Sequence, residues 1–229
     1  MAANHLFDGL LCGRENDPRR LLDVPGARDW SYAELVELSG RLAHLLLEQN
    51  VNPGDRIAVQ VQKSVQAIAL YLATIRAGAV FLPLNTAYTR AEVGSFLQDA
   101  EPAVFVCASA REAEFNDIGA RVLTLDGDGS GSLLQAAGDR PVAFDNVARA
   151  PRDLAAILYT SGTTGLSKGA MLSHDNLLSN ALALVDYWRF TADDVLLHAL
   201  PIFHTHGLFV ATNVILIAGA SMIFLPRFD

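Results

Sequence analysis

Cysteine is scarce in this chain, which has only Cys12 and Cys107 among its 229 residues. The two cysteines share no spacing that is typical of metal ligands, and Cys107 follows an apolar run that predicts a buried strand. We therefore expect two reduced thiols with a structural role in a cytoplasmic protein. The chain opens without a basic segment followed by an apolar one, so no secretory leader is expected.

Positive charge is also in short supply. Lysine and arginine number 17 against 25 aspartates and glutamates, which gives a net charge of −8 and a pI near 5.1. A face that binds nucleic acid or an anionic membrane needs a local excess of cations, so neither is expected as the main partner. A small phosphate ligand stays compatible with this balance, because it needs only backbone N–H groups and one or two cations.

One uncharged stretch, residues 207–225, is nearly long enough to span a bilayer. However, Asn213 lies near its centre, and residues 219–221 (Gly-Ala-Ser) divide it into two shorter pieces. This pattern predicts a buried helix followed by a buried strand and no membrane span. The overall composition, 51% hydrophobic and 18% charged, excludes a disordered chain and provides for a substantial core.

Helix and strand signals alternate along the chain. Ser31 with Glu34, and Thr89 with Glu92, have the spacing of a capping box at a helix start. Helices are predicted at about 31–52, 65–78, 89–101 and 110–118, and strands at 56–61, 80–84, 103–106, 121–125, 154–159, 195–199 and 221–225. Strands separated by helices imply right-handed crossovers, so we predict an α/β fold with mainly parallel sheets and flanking helices.

A change of composition divides the sequence. Residues 126–132 are rich in glycine, aspartate and serine, and polar residues continue to about residue 153. We therefore predict one α/β region over residues 1–150 and a second region over 151–229. The sequence stops at Asp229 directly after an apolar run, and we expect it to be the truncated first part of a longer protein.

The segment with the strongest chemical signal runs from an apolar strand into a loop and then to Lys168. Gly162 and Gly165 allow backbone N–H groups to approach phosphate oxygens closely. Hydroxyl donors come from Thr160, Ser161, Thr163 and Thr164, and Lys168 adds a positive charge. The order is not that of a Walker loop, because Gly169 follows the lysine where a Walker loop has its glycine before it. The pattern predicts a polyphosphate site, and an ordinary serine- and glycine-rich loop is the alternative.

The run from Tyr159 to Gly169, Y-T-S-G-T-T-G-L-S-K-G, closely resembles the phosphate-binding signature of the adenylate-forming enzymes. This superfamily includes acyl-CoA synthetases, the adenylation domains of peptide synthetases and beetle luciferases. Residues 76–85 resemble an upstream structural motif of these enzymes, and residues 199–208 resemble their substrate-side motif. Within the superfamily, residues 201–210 are most similar to the malonyl-CoA synthetases. The similarity covers this chain but only about the first half of a complete member.

The resemblance implies a reaction in two steps. The substrate carboxylate attacks the α-phosphorus of ATP to give an acyl-adenylate and pyrophosphate, and the thiol of coenzyme A then displaces AMP. The implied ATP-binding residues are Thr160, Ser161, Gly162, Thr163, Thr164, Gly165 and Lys168. Of these, Thr160 and Lys168 are the implied catalytic residues, together with His204 near the α-phosphate. Mg²⁺ would be held mostly by phosphate oxygens and water, so no protein ligand for a metal is predicted in this chain.

Two histidines are candidate substrate residues. His204 and His206 could both face the acyl group, and a second carboxylate on the substrate would need such a donor. An isolated H-x-H pair is more often an ordinary pair at the edge of the core, or half of a metal site. The surrounding motif favours substrate contact here. Asp193 and Asp194 are interpreted as a polar turn and not as a metal pair.

The predicted activity is that of a malonate–CoA ligase of the AMP-forming type, using ATP, Mg²⁺ and coenzyme A. We expect the 229 residues alone to be inactive, because complete family members carry further ribose, Mg²⁺ and catalytic lysine contacts downstream. One alternative is a ligase for another short- or medium-chain acid. An alternative of another class is a non-catalytic nucleotide-binding or interaction module.

Overall fold

The computed structural model describes residues 3–11, 13–160 and 168–228. In these residues the chain forms seven α-helices: α1 His5–Leu11, α2 Tyr32–Glu48, α3 Val65–Arg76, α4 Arg90–Ala100, α5 Ser132–Ala137, α6 His174–Trp188 and α7 Asn213–Ala218. The same residues form ten strands: β1 Arg20–Asp23, β2 Trp30–Ser31, β3 Arg56–Gln60, β4 Val80–Pro83, β5 Val104–Cys107, β6 Arg121–Thr124, β7 Leu154–Thr160, β8 Lys168–Ser173, β9 Val195–His198 and β10 Ser221–Phe224. A 3₁₀-helix covers Ser109–Phe115, and a π-helix covers His206–Thr212.

The strands lie in two sheets. The first sheet has six strands in the order β6-β5-β3-β4-β7-β8, and the second has four in the order β2-β1-β10-β9. In the first sheet only the pair β7–β8 is antiparallel, and in the second only the pair β1–β2 is. The prediction of an α/β fold with mainly parallel sheets and flanking helices is confirmed.

The central strands β3, β4 and β5 of the six-stranded sheet are buried on both faces because they are apolar at successive positions. In β3, Ile57 and Val59 belong to a large core that includes α2 and α3, whereas Ala58 faces a smaller core with α4. Cys107 ends β5 on the side of the smaller core. Burial raises the pKa of its thiol to about 11, so this cysteine stays protonated and unreactive.

The helix starts follow the predicted capping chemistry. At α2, the backbone N–H of Glu34 donates to Ser31 Oγ, while the carboxylate of Glu34 accepts from the backbone N–H of Ser31. Thr89 and Glu92 form the same reciprocal pair at α4. Each box satisfies two N–H groups that the first helical turn would otherwise leave unpaired. Both predicted capping boxes are confirmed.

The stretch 207–225 folds as a buried helix followed by a buried strand, as predicted. The π-helix continues into α7, which ends at Gly219 with φ +73°, and β10 follows. Positive φ at this position costs glycine nothing, so the chain can turn sharply from helix to strand. Within the described residues, no helix combines the length and apolar character needed to cross a bilayer.

The helix predicted over residues 110–118 is wrong in type and extent. The structure has a 3₁₀-helix over Ser109–Phe115, in which only Phe115 is buried. Because this segment has no apolar stripe to pack against the sheet, a regular α-helix would gain little from tertiary contacts. The elements α1, α5, β1, β2 and β8 were not predicted, since each is short or lacks a clear period.

The division of the chain near residue 150 remains a prediction. The six-stranded sheet takes β3–β6 from before that point and β7 and β8 from after it. The four-stranded sheet likewise combines β1 and β2 with β9 and β10. Backbone hydrogen bonds therefore join the two predicted regions in both sheets.

Candidate active site

The glycine-rich segment lies between the paired strands β7 and β8. Tyr159 pairs with Gly169, and Thr160 pairs with Lys168, at the end of this ladder. The predicted phosphate-binding residues Ser161, Gly162, Thr163, Thr164 and Gly165 lie outside the described residues. The structure thus fixes the two points where the loop leaves and rejoins the sheet, with β8 on the sheet edge.

Helix α4 contacts the end of this hairpin that is next to the loop. The Tyr159 ring stacks on Phe96 with centroids 4.5 Å apart, and its hydroxyl donates a hydrogen bond to the carboxylate of Asp99. Burial and this carboxylate raise the pKa of Tyr159, so the hydroxyl stays protonated as a donor. On the facing strand, a Cβ at Gly169 would lie 2.9 Å from Ile157 Cγ2. A glycine there lets the two strands approach closely beside the loop.

Lys168 begins β8, and it is exposed. Within the described part of the chain, its ammonium group has no hydrogen-bond or ion-pair partner. A cation at the mouth of a glycine-rich loop, with no internal partner, is available to an anionic ligand. The geometry of its strand therefore fits the predicted phosphate-binding role.

The substrate-side motif forms a turn between β9 and the π-helix. His204, Thr205 and His206 are all exposed, while Ile202 and Gly207 on either side of them are buried. The rings of Phe203 and His204 lie 4.5 Å apart. A π-helix is rare and often marks a functional site, because its wider turn leaves backbone groups for other partners. Both candidate histidines thus stand on one exposed turn at a π-helix start.

Two residues that the sequence analysis missed hold this turn. The Nε2 of His198, the last residue of β9, lies 2.8 Å from the carbonyl oxygen of Gly207. On the other side of the ring, Nδ1 lies 2.7 Å from Nζ of Lys63. His198 is fully buried and Lys63 is half-buried. Burial lowers the pKa of Lys63 to about 7, and burial with the Lys63 charge lowers the pKa of His198 to about 4.

A cavity of about 360 Å³ adjoins this turn. It is lined by Val61, Gln62, Lys63, Thr86, Pro201, Ile202, Phe203, Pro226 and Arg227. These residues follow the carboxyl ends of β3, β4, β9 and β10, which belong to both sheets. Ligands of open parallel sheets bind beyond the carboxyl ends of the strands, so this cavity is well placed for a substrate. A roomier opening of about 520 Å³ near the Arg90–Asp117 ion pair contains none of the candidate residues.

The structure brings some candidate residues together and leaves others apart. His204 and His206 share the turn after β9 in the four-stranded sheet, whereas Lys168 lies on the edge of the six-stranded sheet. In the described ranges, Lys168 makes no hydrogen bond with either histidine. No three histidine, cysteine, aspartate or glutamate side chains there are grouped closely enough to hold a metal ion. The predicted turn at Asp193–Asp194 is confirmed, with Asp194 accepting from the backbone N–H of Thr191.

A sequence signal for Lys63 and His198 does exist. His198 interrupts the apolar run of β9, where a histidine needs polar partners to be buried. Lys63 stands three residues after β3, at the carboxyl end of a parallel strand. Neither signal predicts that the two residues contact each other, since they are 135 positions apart in the chain.

Two buried histidines make the stability of the chain depend on pH. His198 and His174, the first residue of α6, are both fully buried, and burial lowers the pKa of each to about 4 from the ordinary 6.5. The neutral forms are thus stable in the fold, whereas the unfolded chain takes up protons below pH 6.5. We expect each histidine to cost about 1–2 kcal/mol of unfolding free energy between pH 7 and pH 5.

Urea unfolding of the 229-residue chain at pH 7, 6 and 5 measures this loss. The double variant His174→Gln/His198→Gln should be less stable at pH 7 but should lose much less between pH 7 and pH 5. Aspartate and glutamate side chains ordinarily titrate below this window. A wild-type free energy that stays level from pH 7 to pH 5 would show that these imidazoles are not held neutral.

The known proteins that this chain resembles belong to one family. Residues 13–229 match the family described as AMP-binding enzyme. Indoleacetate–CoA ligase of Aromatoleum aromaticum is 36% identical over 212 residues, which cover 88% of this chain and 41% of the relative. Oxalate–CoA ligase of Arabidopsis thaliana is 32% identical over 213 residues, covering 89% of this chain and 41% of that enzyme. The chain spans less than half the length of the curated relatives it matches.

Solved structures give closer similarity. The apo structure of MatB from Rhodopseudomonas palustris is 55% identical, with a TM-score of 0.95 over 100% of this chain and 46% of MatB. The ATP-bound structure of the same protein gives a TM-score of 0.94 with the same identity and coverage. The fold described above is thus the fold of the first part of MatB.

Proposed function

The chain belongs to the AMP-binding enzyme family, and from this premise we propose that it is the N-terminal part of an AMP-forming acid–CoA ligase whose substrate is malonate. The observation that carries the proposal is Lys168, an exposed cation with no partner among the described residues, at the end of the β7–β8 hairpin where the glycine-rich loop rejoins the sheet. We call the intact enzyme the full-length protein. ATP, coenzyme A and a carboxylic acid are its proposed substrates.

Adenylation asks the protein mainly for positioning and charge neutralisation. In the proposal, the loop from Thr160 to Lys168 binds the β- and γ-phosphates of ATP, and Lys168 stabilises the charge that develops on pyrophosphate. When bound, Mg²⁺ would neutralise part of the phosphate charge. The described residues offer no cluster of acidic ligands, so within this chain phosphate oxygens and water would hold most of its coordination. An ATP-bound neighbour of 55% identity supports a nucleotide site in this fold.

The acid would bind at the turn between β9 and the π-helix. His204 is proposed to donate to the reacting carboxylate or to an α-phosphate oxygen, and His206 to the second carboxylate of malonate. Both side chains are exposed on this turn, next to the cavity lined by Lys63, Thr86 and Phe203. A dianionic acid needs donors or cations within reach of both carboxylates, and in the proposal His204 and His206 supply the donors.

The identity of the acid as malonate is the more specific part of the proposal. It is supported by the similarity of residues 201–210 to the malonyl-CoA synthetases. The names of the curated relatives include indoleacetate, oxalate and 4-coumarate as acids, so a ligase for another acid is the second candidate. These relatives share 27–36% identity with the chain, against 55% for MatB. The higher identity covers the whole acid turn, which favours a MatB-like pocket.

Acid-dependent ATP–pyrophosphate exchange by the full-length protein tests the proposal. We expect exchange with malonate at least about tenfold faster than with methylmalonate, acetate, oxalate or butyrate. Acetate and butyrate lack the second carboxylate, oxalate holds it one carbon closer, and methylmalonate adds a methyl group that a pocket fitted to malonate must accommodate. The 229-residue chain should give no exchange, since it spans less than half of its relatives. Faster exchange with another acid would replace malonate, and absence of exchange with every acid would reject adenylation.

A thermal melt with and without MgATP distinguishes the ligase from the non-catalytic nucleotide-binding module. A ligand that binds only the folded protein raises the unfolding midpoint. Exchange together with a midpoint raised by MgATP supports the ligase. A raised midpoint without exchange or thioester formation, under any of the acids, would instead describe a nucleotide-binding module.

A further inference from the structure

We propose that Lys63 and His198 are positioning residues that set the geometry of the acid-binding turn through the carbonyl group of Gly207. The inference rests on the proposed function, because the turn is the proposed acid site. It adds two residues that lie outside all three motif segments: Lys63, which follows β3 of the six-stranded sheet, and His198, which ends β9 of the four-stranded sheet.

When Lys63 is charged, hydrogen-bond chemistry permits one arrangement of protons at this pair. The Gly207 carbonyl can only accept, so the Nε2 of His198 at 2.8 Å must carry the proton. The ammonium of Lys63 can only donate, so Nδ1 of His198 at 2.7 Å must accept. The imidazole is therefore neutral, with a single tautomer. Burial of His198 supports this assignment, since an imidazolium would have no second acceptor.

Lys63 is itself fixed by more than one contact. Its Nζ also donates to the backbone carbonyl of His198 at 2.7 Å, and it lies 4.3 Å from the centroid of the Phe224 ring. The His198 ring packs on the same phenylalanine, with centroids 5.2 Å apart. Lys63 and His198 thus share one apolar support, and a cation over an aromatic face gains further stabilisation.

The Gly207 carbonyl group connects the Lys63–His198 pair to the turn that carries the two candidate substrate histidines. It also accepts a hydrogen bond from Thr212 Oγ1 at 3.1 Å, one turn further along the π-helix. His206 directly precedes Gly207, and the backbone N–H of Leu208 donates to the carbonyl of His204 at 3.0 Å. A shift of Gly207 would therefore move both candidate histidines relative to the cavity.

The two residues of the pair differ in their relation to the cavity. Lys63 lines the cavity, whereas His198 does not. This difference separates positioning from direct binding. If Lys63 acted mainly as a ligand for the acid, loss of His198 would leave the affinity for the acid nearly intact; if the pair positions the turn, loss of either residue has the same effect.

The experiment compares four variants of the full-length protein in acid-dependent ATP–pyrophosphate exchange: Lys63→Met, His198→Phe, the double variant, and His198→Gln. We expect the KM for the acid to rise about tenfold in each single variant and no further in the double variant, because both remove one linkage. The KM for ATP should change less than about twofold. His198→Gln should stay within about threefold of wild type, since an amide can donate to Gly207 and accept from Lys63.

Thermal midpoints of the same four proteins report the contact without turnover, and the single-variant effects should again be non-additive. Equal increases in the KM for ATP and for the acid, or an effect of Lys63→Met alone, would overturn the positioning role. A wild-type protein without exchange would instead reject the proposed function, and non-additive midpoints would still establish the pair as a contact.

Discussion

Replacing Lys168 with alanine in the full-length protein is expected to lower acid-dependent ATP–pyrophosphate exchange by about two to three orders of magnitude. Lys168 is exposed at the first position of β8 and has no partner within the described residues, so its charge has no evident structural use. Removing a preorganised cation from a phosphate site typically costs about 3–4 kcal/mol of transition-state stabilisation. The unfolding midpoint should stay within about 2 °C of wild type, because the substitution removes no contact with the described residues.

The matched control for this experiment is Arg152→Ala. Arg152 is an exposed cation two residues before β7, at the end of that strand opposite the glycine-rich loop. Its removal changes the net charge by the same amount but should leave exchange within about twofold. Lys168→Arg should recover only part of the rate, since a planar guanidinium does not replace a compact ammonium. Equal losses in Lys168→Ala and Arg152→Ala would mean that net charge, and not this site, controls the rate.

The fold was predictable wherever the sequence carried period and capping signals together. The helices starting at Ser31 and Thr89 have reciprocal capping pairs, and the strands β3, β4 and β5 are short apolar runs between helices. What the sequence could not give is the split into two sheets. The pairing of β1 with β10 joins residues about 200 positions apart, and such long-range pairing depends on packing that no local pattern records.

The sequence allows the motif residues of the candidate site to be proposed, but it does not predict the residues that support them. Lys168, His204 and His206 lie in segments whose order of residues resembles one superfamily, so the sequence alone is enough to propose them as site residues. Lys63 and His198 belong to no such run, and each is an ordinary residue until the two sheets bring them within 2.7 Å. Supporting contacts between distant elements depend on the tertiary structure, which explains why sequence analysis finds ligands more readily than the residues that orient them.

Gly207 should tolerate no side chain, and we expect Gly207→Ala to lower the stability of the fold strongly. A Cβ at this position would lie 2.1 Å from the carbonyl oxygen of Pro201, far inside van der Waals contact. The carbonyl belongs to backbone, so no side-chain rotation can relieve the clash. Either the turn 201–207 must open, or the π-helix must move away from His198, which now holds the Gly207 carbonyl at 2.8 Å.

Opening the turn should cost about 3 kcal/mol and lower the unfolding midpoint of the 229-residue chain by roughly 6–12 °C. In the full-length protein, the same change should raise the KM for the acid more than tenfold, because His204 and His206 move with the turn. Gly119→Ala is the matched control, since no heavy atom lies within 4 Å of the Cβ built there and its φ is not positive. It should shift the midpoint by less than about 2 °C. A Gly207→Ala protein with a wild-type midpoint and acid KM would mean that the turn adjusts freely, and a freely adjusting turn could not be positioned by Lys63 and His198.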